Sequence, residues 1–374
     1  MKSARQVPVN TPLITESDID SVSNCLREGW ISGDGPIVTK FESEVAKLSD
    51  RKFGVAVANG TIALDLAIEL FDLQPGDEVI LPSFTIISCL SQILRKGAIP
   101  RFIDSNSETW NMDVDLVEKN ISPRTKLIVA PHIYGLPIDM DPLILLAESF
   151  GIPLIEDAAE SHGLRYKDKV CGSFGALSTY SFYANKHITT GEGGLIVTND
   201  EDLAMRLHSL KNLNFRADER FVSDELGWNY RLGSMQAALG LSQLRRLSEI
   251  LNQRMKIGAF YQEQLRGIPG IQLPLEKTEY SENNYWVFGL VLNGKMTGKA
   301  KEVRAELDTY GIGTRPFFQP LHRQPVLQKF GLSDQSSLPV SEDLGNSGFY
   351  IPNGLGTDIS DFEYVVDCVV KVLS

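Results

Sequence analysis

The chain predicts an α/β fold: a large, mostly parallel sheet covered by helices on both faces, followed by a smaller α+β domain. Three observations predict it. Short apolar runs recur along the first half with helix-like stretches between the first five, polar residues gather just after those runs, and the pattern changes near residue 245. At 374 residues with 43% hydrophobic side chains, the chain can bury one large core and one smaller one. We place the large domain at 1–245 and the small one at 246–374.

Helical segments are expected at about 16–29 and 36–50. Strands follow at Val55–Ala58, Glu78–Leu81, Ile99–Phe102, Lys126–Ala130, Leu154–Glu156 and Leu177–Phe182. Strand and helix in alternation imply parallel pairing, because each return crossover has to pass over a sheet face. Ligands of such sheets gather at the carboxyl ends of the strands, where Asn59, Pro82–Thr85, His132, Asp157 and Ser181 all fall. Beyond this region we expect a long helix from Met235 to about Leu265, an extended pair near 270–273 and 285–292, a helix near 299–310 and a terminal helix from Ile359. No flexible linker separates the two parts.

A net charge of −12 and the lack of a basic patch argue against nucleic-acid or anionic-membrane partners. No apolar run of 18 residues occurs, and the N-terminal residues lack the apolar stretch of a secretion signal. Cys25, Cys89, Cys171 and Cys368 are scattered without metal-ligand or CxxC spacing, so we expect reduced thiols, a cytoplasmic protein and no metal.

Two segments state the chemistry. Lys186 lies in the polar, glycine-flanked run 181–194, about thirty residues after the strand-end sequence 155–160 that contains Asp157. A lysine amine can form an imine with an aldehyde, and an aspartate can hold a pyridinium nitrogen protonated. Alone, the lysine reads as a solvated charge and Asp157 as a turn acceptor. Upstream, the apolar strand at 55–58 runs into Asn59-Gly60-Thr61 and directly into an apolar-spaced helix. There, free N–H groups and the positive helix end can cradle a phosphate. By itself that turn needs no function beyond capping. Together the three segments describe a pyridoxal 5'-phosphate site.

The motifs also carry a family resemblance over nearly the whole chain. Gly29–Gly35, Asn59–Thr61, Gly76–Pro82, Glu108–Met112, Asp157–Glu160, Asn185–Gly194, Gly227–Arg231 and Thr314–Pro316 resemble those of the DegT/DnrJ/EryC1/StrS sugar aminotransferases. The strongest likeness is to the perosamine-forming branch of that group. The resemblance implies the aspartate aminotransferase fold (fold type I), with PLP and PMP forms of the cofactor. It makes Lys186 the cofactor-bearing lysine, Asp157 the partner of the pyridine nitrogen and Glu160 the neighbour of the phenolic oxygen. Gly60, Thr61 and Ser181 become phosphate ligands. Asn229 would be lent by a neighbouring subunit, giving a homodimer with shared sites.

Two positions depart from the family pattern. Ile86 stands where an aromatic usually covers the cofactor ring, so apolar contact replaces stacking. His187 follows the lysine where the perosamine-forming branch more often has threonine.

The implied reaction moves the amino group of L-glutamate to a nucleotide-linked 4-keto-6-deoxy sugar, first of all GDP-4-keto-6-deoxy-D-mannose, for O-antigen or another surface polysaccharide. A UDP- or dTDP-linked 4-keto sugar or a keto-acid sugar is the alternative. A sugar dehydratase of the same family would carry histidine in place of Lys186, and a regulator could keep the fold without the chemistry. Trp30, Ser32, His162, Arg315 and His322 are candidate substrate contacts. Each also has a plain structural reading: a core anchor for Trp30, a satisfied histidine for His162 and His322, a salt bridge for Arg315.

Overall fold

The structure, a computed structural model, describes residues 5–216, 218–332 and 337–373. Two helices, α1 (Glu16–Arg27) and α2 (Pro36–Leu48), precede the sheet region. It runs through β1 (Phe53–Val57), α3 (Gly60–Glu69), β2 (Glu78–Pro82), α4 (Ser88–Arg95), β3 (Ile99–Ile103), β4 (Thr125–Pro131), α5 (Met140–Phe150) and β5 (Leu154–Asp157). A two-stranded hairpin, β6 (Arg165–Tyr166) and β7 (Lys169–Val170), leads to β8 (Leu177–Ser181), β9 (Gly194–Thr198), α6 (Glu201–Leu210) and α7 (Ser234–Leu244).

Local chemistry sets the element ends. Pro36 opens α2 with a preset φ. Asn59 Oδ1 accepts the Ile62 N–H at 3.0 Å to start α3, and Asp200 Oδ1 accepts the Leu203 N–H at 3.0 Å to start α6. After α5 the chain turns at Gly151 with φ +63°, a conformation a Cβ would oppose.

The seven-stranded sheet has the order β1-β9-β8-β5-β4-β2-β3. Strands β3, β2, β4, β5 and β8 are parallel, and β9 runs antiparallel to both β8 and β1. Alternate residues go to opposite faces: Val55, Val57, Val79, Leu81, Leu127 and Val129 join one apolar cluster, while Ala56, Ile80, Ile128 and Ala130 join those on the other side. Both faces are dry, which is why these strands read as continuous apolar runs rather than alternating ones. The register places Pro131 beside Asp157 and Asp157 beside Thr179, so the strand ends line up on one edge.

The second unit starts with α8 (Leu247–Leu265) and contains β10 (Ile271–Gln272), β11 (Phe288–Leu292), α9 (Ala300–Thr309), β12 (Arg315–Pro316), α10 (Pro339–Ser347), β13 (Gly348–Ile351) and α11 (Ile359–Leu373). Its antiparallel sheet has the order β10-β11-β13-β12. Leu290, Val303, Leu307, Phe349 and Val365 form its core. Helix α8 reaches both cores, with Leu247 packed on the large one and Tyr261 and Leu265 on the small one. Val7 bridges Ile312, so the N-terminal segment lies on the small sheet. Among the described residues no helix is long and apolar enough to cross a membrane.

Three expectations need correction. The expected helix from Met235 to Leu265 is two helices, broken at Arg245 and Arg246, where Arg246 leaves helical geometry and its guanidinium meets the buried Asp18 carboxylate at 2.9 Å. The connection between β3 and β4 holds only short 3₁₀ turns at 114–116 and 118–120 instead of a helix-like stretch. No strand is expected in the segment just after Lys186, yet the buried strand β9 starts at Gly194, the last of the glycines there, and continues through the apolar residues after it.

Candidate active site

A cavity of about 870 Å³ opens over the carboxyl ends of the strands. Its large-domain wall carries Asn59, Gly60, Thr61, Ile86, His132, Asp157, Glu160, Ser181 and Lys186. Residues Asn10, Arg254, Trp286, Arg315, Phe318, Tyr350 and Asn353 close the opposite side.

The anion cradle follows from the turn between β1 and α3. Asn59 uses its side chain on Ile62, which leaves the Gly60 and Thr61 N–H groups without backbone partners at a positive helix end. A Cβ on Gly60 would stand 2.7 Å from the Ser181 Cβ, so only glycine lets β8 close in. Thr61 Oγ1 and Ser88 Oγ lie 2.7 Å apart at the same mouth. Hydroxyls and N–H groups therefore converge on one point.

Asp157 ends β5. Its Oδ1 accepts the Ala159 N–H at 3.0 Å and the Thr179 hydroxyl at 3.3 Å, and its Oδ2 accepts from Cys89 Sγ at 3.5 Å. Burial raises its pKa, opposed by the Ala159 hydrogen bond and the Lys186 charge. Its neighbour Glu156 is saturated by His132, Gly172, Phe174 and Ser178, which fixes the strand end. Glu160 Oε2 accepts the Tyr134 N–H at 2.8 Å, from a tyrosine held at φ +53°. Burial pushes the Glu160 carboxyl up to about 7.

Lys186 Nζ lies 3.8 Å from Glu160 Oε1 and 3.6 Å from the centre of the Trp286 ring, with its side chain 9% exposed. Desolvation lowers its pKa, and the two carboxylates only partly restore it. A buried amine moved towards neutrality is a nucleophile and a proton carrier. The Trp286 indole N–H donates to the Asn185 carbonyl at 3.0 Å, tying the lysine loop to the small domain.

Those groups fit pyridoxal phosphate: an anion cradle, a buried amine and a buried carboxylate line one cavity. Fold and site together define a PLP-dependent enzyme of fold type I. Residues 12–370 match the DegT/DnrJ/EryC1/StrS aminotransferase family, and the chain belongs to it. The GDP-perosamine synthase of Escherichia coli O157:H7 is 36% identical over 349 residues, 93% of each chain. That of Caulobacter vibrioides is 34% identical over 373 residues, covering 100% of both. Among solved structures, Spr1654 of Streptococcus pneumoniae in its PLP form superposes with TM-score 0.92 at 25% identity, covering 99% of each chain. The protein is a PLP-dependent aminotransferase.

Not every candidate from the sequence reaches the cavity. His162 is buried, stacked on Phe182 at 5.1 Å, accepts the Ile188 N–H, and is held neutral with its pKa down near 3. His322 is buried between Ser83 Oγ at 2.6 Å and Glu342 at 3.1 Å. Neither lines the cavity, because each ring is consumed in packing between layers. Trp30, Ser32 and Asn229 are exposed and outside the cavity of their own chain. The Asn229 loop is nevertheless tied to the cradle, since the Ala58 N–H donates to the Tyr230 carbonyl at 2.9 Å. Arg315 does line the cavity, at its exposed rim. Sequence reasoning missed Asn10, Arg254, Trp286 and Asn353, none of which carries a local motif.

Proposed function

We propose that the enzyme transfers the amino group of L-glutamate to GDP-4-keto-6-deoxy-D-mannose and forms GDP-perosamine, for O-antigen lipopolysaccharide or a related surface polysaccharide. The observation that carries the chemistry is the Lys186 amine, enclosed between Glu160 and the Trp286 ring in the cavity that also holds Asp157 and the α3 cradle. For the sugar, support comes from the two synthases at 36% and 34% identity.

When bound, the cofactor supplies an aldehyde for the amine and an electron sink for the carbanion. Lys186 moves the proton between the substrate carbon and the cofactor carbon in both half-reactions. Asp157 holds the ring-nitrogen proton by charge. Gly60, Thr61 and Ser181 bind the phosphate, Glu160 faces the phenolic oxygen, and Ile86, 41% exposed over the cavity, covers the ring. Of the two roles open to Arg315, glutamate carboxylate or phosphate, its exposed position on the cavity favours the nucleotide diphosphate. Asn229 acts on the site of a neighbouring subunit in a homodimer, and Trp30 and Ser32 are candidate contacts for the sugar-nucleotide edge. The four cysteines are buried and free, in keeping with a cytoplasmic setting.

The deciding assay supplies L-glutamate with GDP-, dTDP- and UDP-linked 4-keto-6-deoxy sugars and follows 2-oxoglutarate and product mass. Preference for a dTDP or UDP sugar overturns the GDP assignment, and absence of 2-oxoglutarate with every sugar overturns the donor. Shared sites are tested by mixing inactive Lys186→Ala and Asn229→Ala chains. Heterodimers with one intact site should recover towards half of wild-type activity, and none if Asn229 serves its own chain.

A further inference from the structure

Arg254, in the middle of α8, is a buried cation without an anion. It is 2% exposed, lines the cavity and makes one side-chain hydrogen bond, from Nη2 to Asn10 Oδ1 at 3.4 Å. Its Nε is buried with no partner. Three acids line the same cavity, Asp157, Glu160 and Glu192, and among the described residues none lies within ion-pair distance of the guanidinium. Burial alone draws its pKa down, to about 10, so it stays charged at neutral pH. A charge taken out of water without a counter-charge is costly, and a protein keeps one where a ligand supplies the anion.

The position selects the anion. The cofactor phosphate has its own cradle at the start of α3. A nucleoside diphosphate has to lead out through the cavity mouth, where the exposed Arg315 stands. Arg254, 2% exposed where Arg315 is exposed, stands deeper in the same cavity, with Asn10 as its hydrogen-bond partner at 3.4 Å. Asn10 also donates from Nδ2 to the carbonyl of Ala184 at 3.3 Å, two residues before Lys186. The guanidinium is thereby referenced to the reacting amine through a single side chain.

We infer that Arg254, oriented by Asn10, binds a carboxylate of the amino-acid donor and of its keto-acid product. The inference rests on the proposed transamination and adds the residue that tells donor from acceptor, because the keto sugar carries no carboxylate. The planar guanidinium presents two parallel N–H groups to a carboxylate, which a lysine cannot do.

The test uses purified holoenzyme and needs no turnover. 2-Oxoglutarate and GDP are titrated separately by calorimetry against wild type, Arg254→Gln, Arg254→Lys and Asn10→Ala, with cofactor absorbance and thermal unfolding recorded for each. Arg254→Gln should weaken 2-oxoglutarate by about thirtyfold or more, since it leaves a desolvated carboxylate unpaired, and leave GDP affinity unchanged. The lysine variant should recover part of the loss, and Asn10→Ala should fall between. Unchanged 2-oxoglutarate affinity in a cofactor-loaded Arg254→Gln overturns the inference, as does a loss of GDP affinity in its place. If that variant fails to fold, unchanged affinity in both Arg254→Lys and Asn10→Ala overturns it equally. A wild type that moves no nitrogen from L-glutamate defeats the functional reading, whereas an active wild type with indifferent Arg254 variants defeats only this one.

Discussion

The two walls of the cavity were built in different ways. On the large-domain side, every polar group stands at a strand end or a helix start, within a few residues of a motif: Asn59–Thr61 after β1, Asp157–Glu160 after β5, Ser181 to Lys186 after β8. The opposite side gathers Asn10, Arg254, Trp286, Arg315 and Asn353 from an N-terminal segment, a long helix, strand β12 and the segments that precede β11 and follow β13. One wall is local and parallel, the other is assembled from distant chain. On the proposed function, the difference assigns the common chemistry to the local wall and discrimination between substrates to the assembled one.

Lys186→Ala strikes the wall shared by both substrates and should have the largest effect. Single-turnover rates with donor and with acceptor should both fall by about 10⁴-fold, the upper range for a positioned proton carrier, and the visible band of the bound cofactor should shift. A loss confined to one half-reaction would break the division of labour. Asp157→Asn keeps the shape but removes the charge proposed to hold the ring-nitrogen proton. We expect kcat to fall by about 10²- to 10³-fold in both half-reactions, with the fold retained by near-ultraviolet circular dichroism. A loss under threefold would remove Asp157 from the mechanism.

The assembled wall should respond selectively. Arg315→Ala should raise KM for the nucleotide sugar by about tenfold, the worth of one rim charge-assisted contact, with kcat and the glutamate KM unchanged. Equal changes in both KM values would show that Arg315 does not separate the substrates.

The smallest effect concerns pH and the apo protein. Folding raises the Glu160 carboxyl from 4.5 to about 7. Between those values the unfolded chain releases its proton while the folded chain keeps it, so this group favours the folded state below about pH 4.5 and its contribution is lost as pH rises through about 7. Glu160→Gln should remove on the order of 2 kcal/mol of that slope, read as the difference in unfolding free energy between pH 5 and pH 7.5. Identical slopes would place the charge elsewhere, with Lys186 3.8 Å away as the first group to suspect.

The legibility of the sequence follows the same line. Lys186, Asp157 and the α3 cradle are visible because each lies beside the strand or helix end that aims it, and parallel strands bring such ends to one edge by construction. Strand β9 was missed because its apolar run follows glycines without a turn signal, and the break between α7 and α8 because it depends on Arg246 meeting Asp18 across 228 residues. His162 and His322 read as candidate substrate contacts or as structural histidines, and the structure buries both rings between layers, away from the cavity.

By itself the sequence determined the fold class and the cofactor, and it pointed to Lys186 as the candidate amine, since helix capping, strand burial and imine chemistry depend on neighbours within a few positions. Only the tertiary structure decided which side chains face that amine from across the cavity. Neither Arg254 nor Trp286 lies in a motif that the sequence offers. Folding places one beside Asn10 and the other 3.6 Å from Lys186, because the small domain packs over strand ends that lie far earlier in the chain. Contacts at that separation follow from packing, which no local pattern encodes.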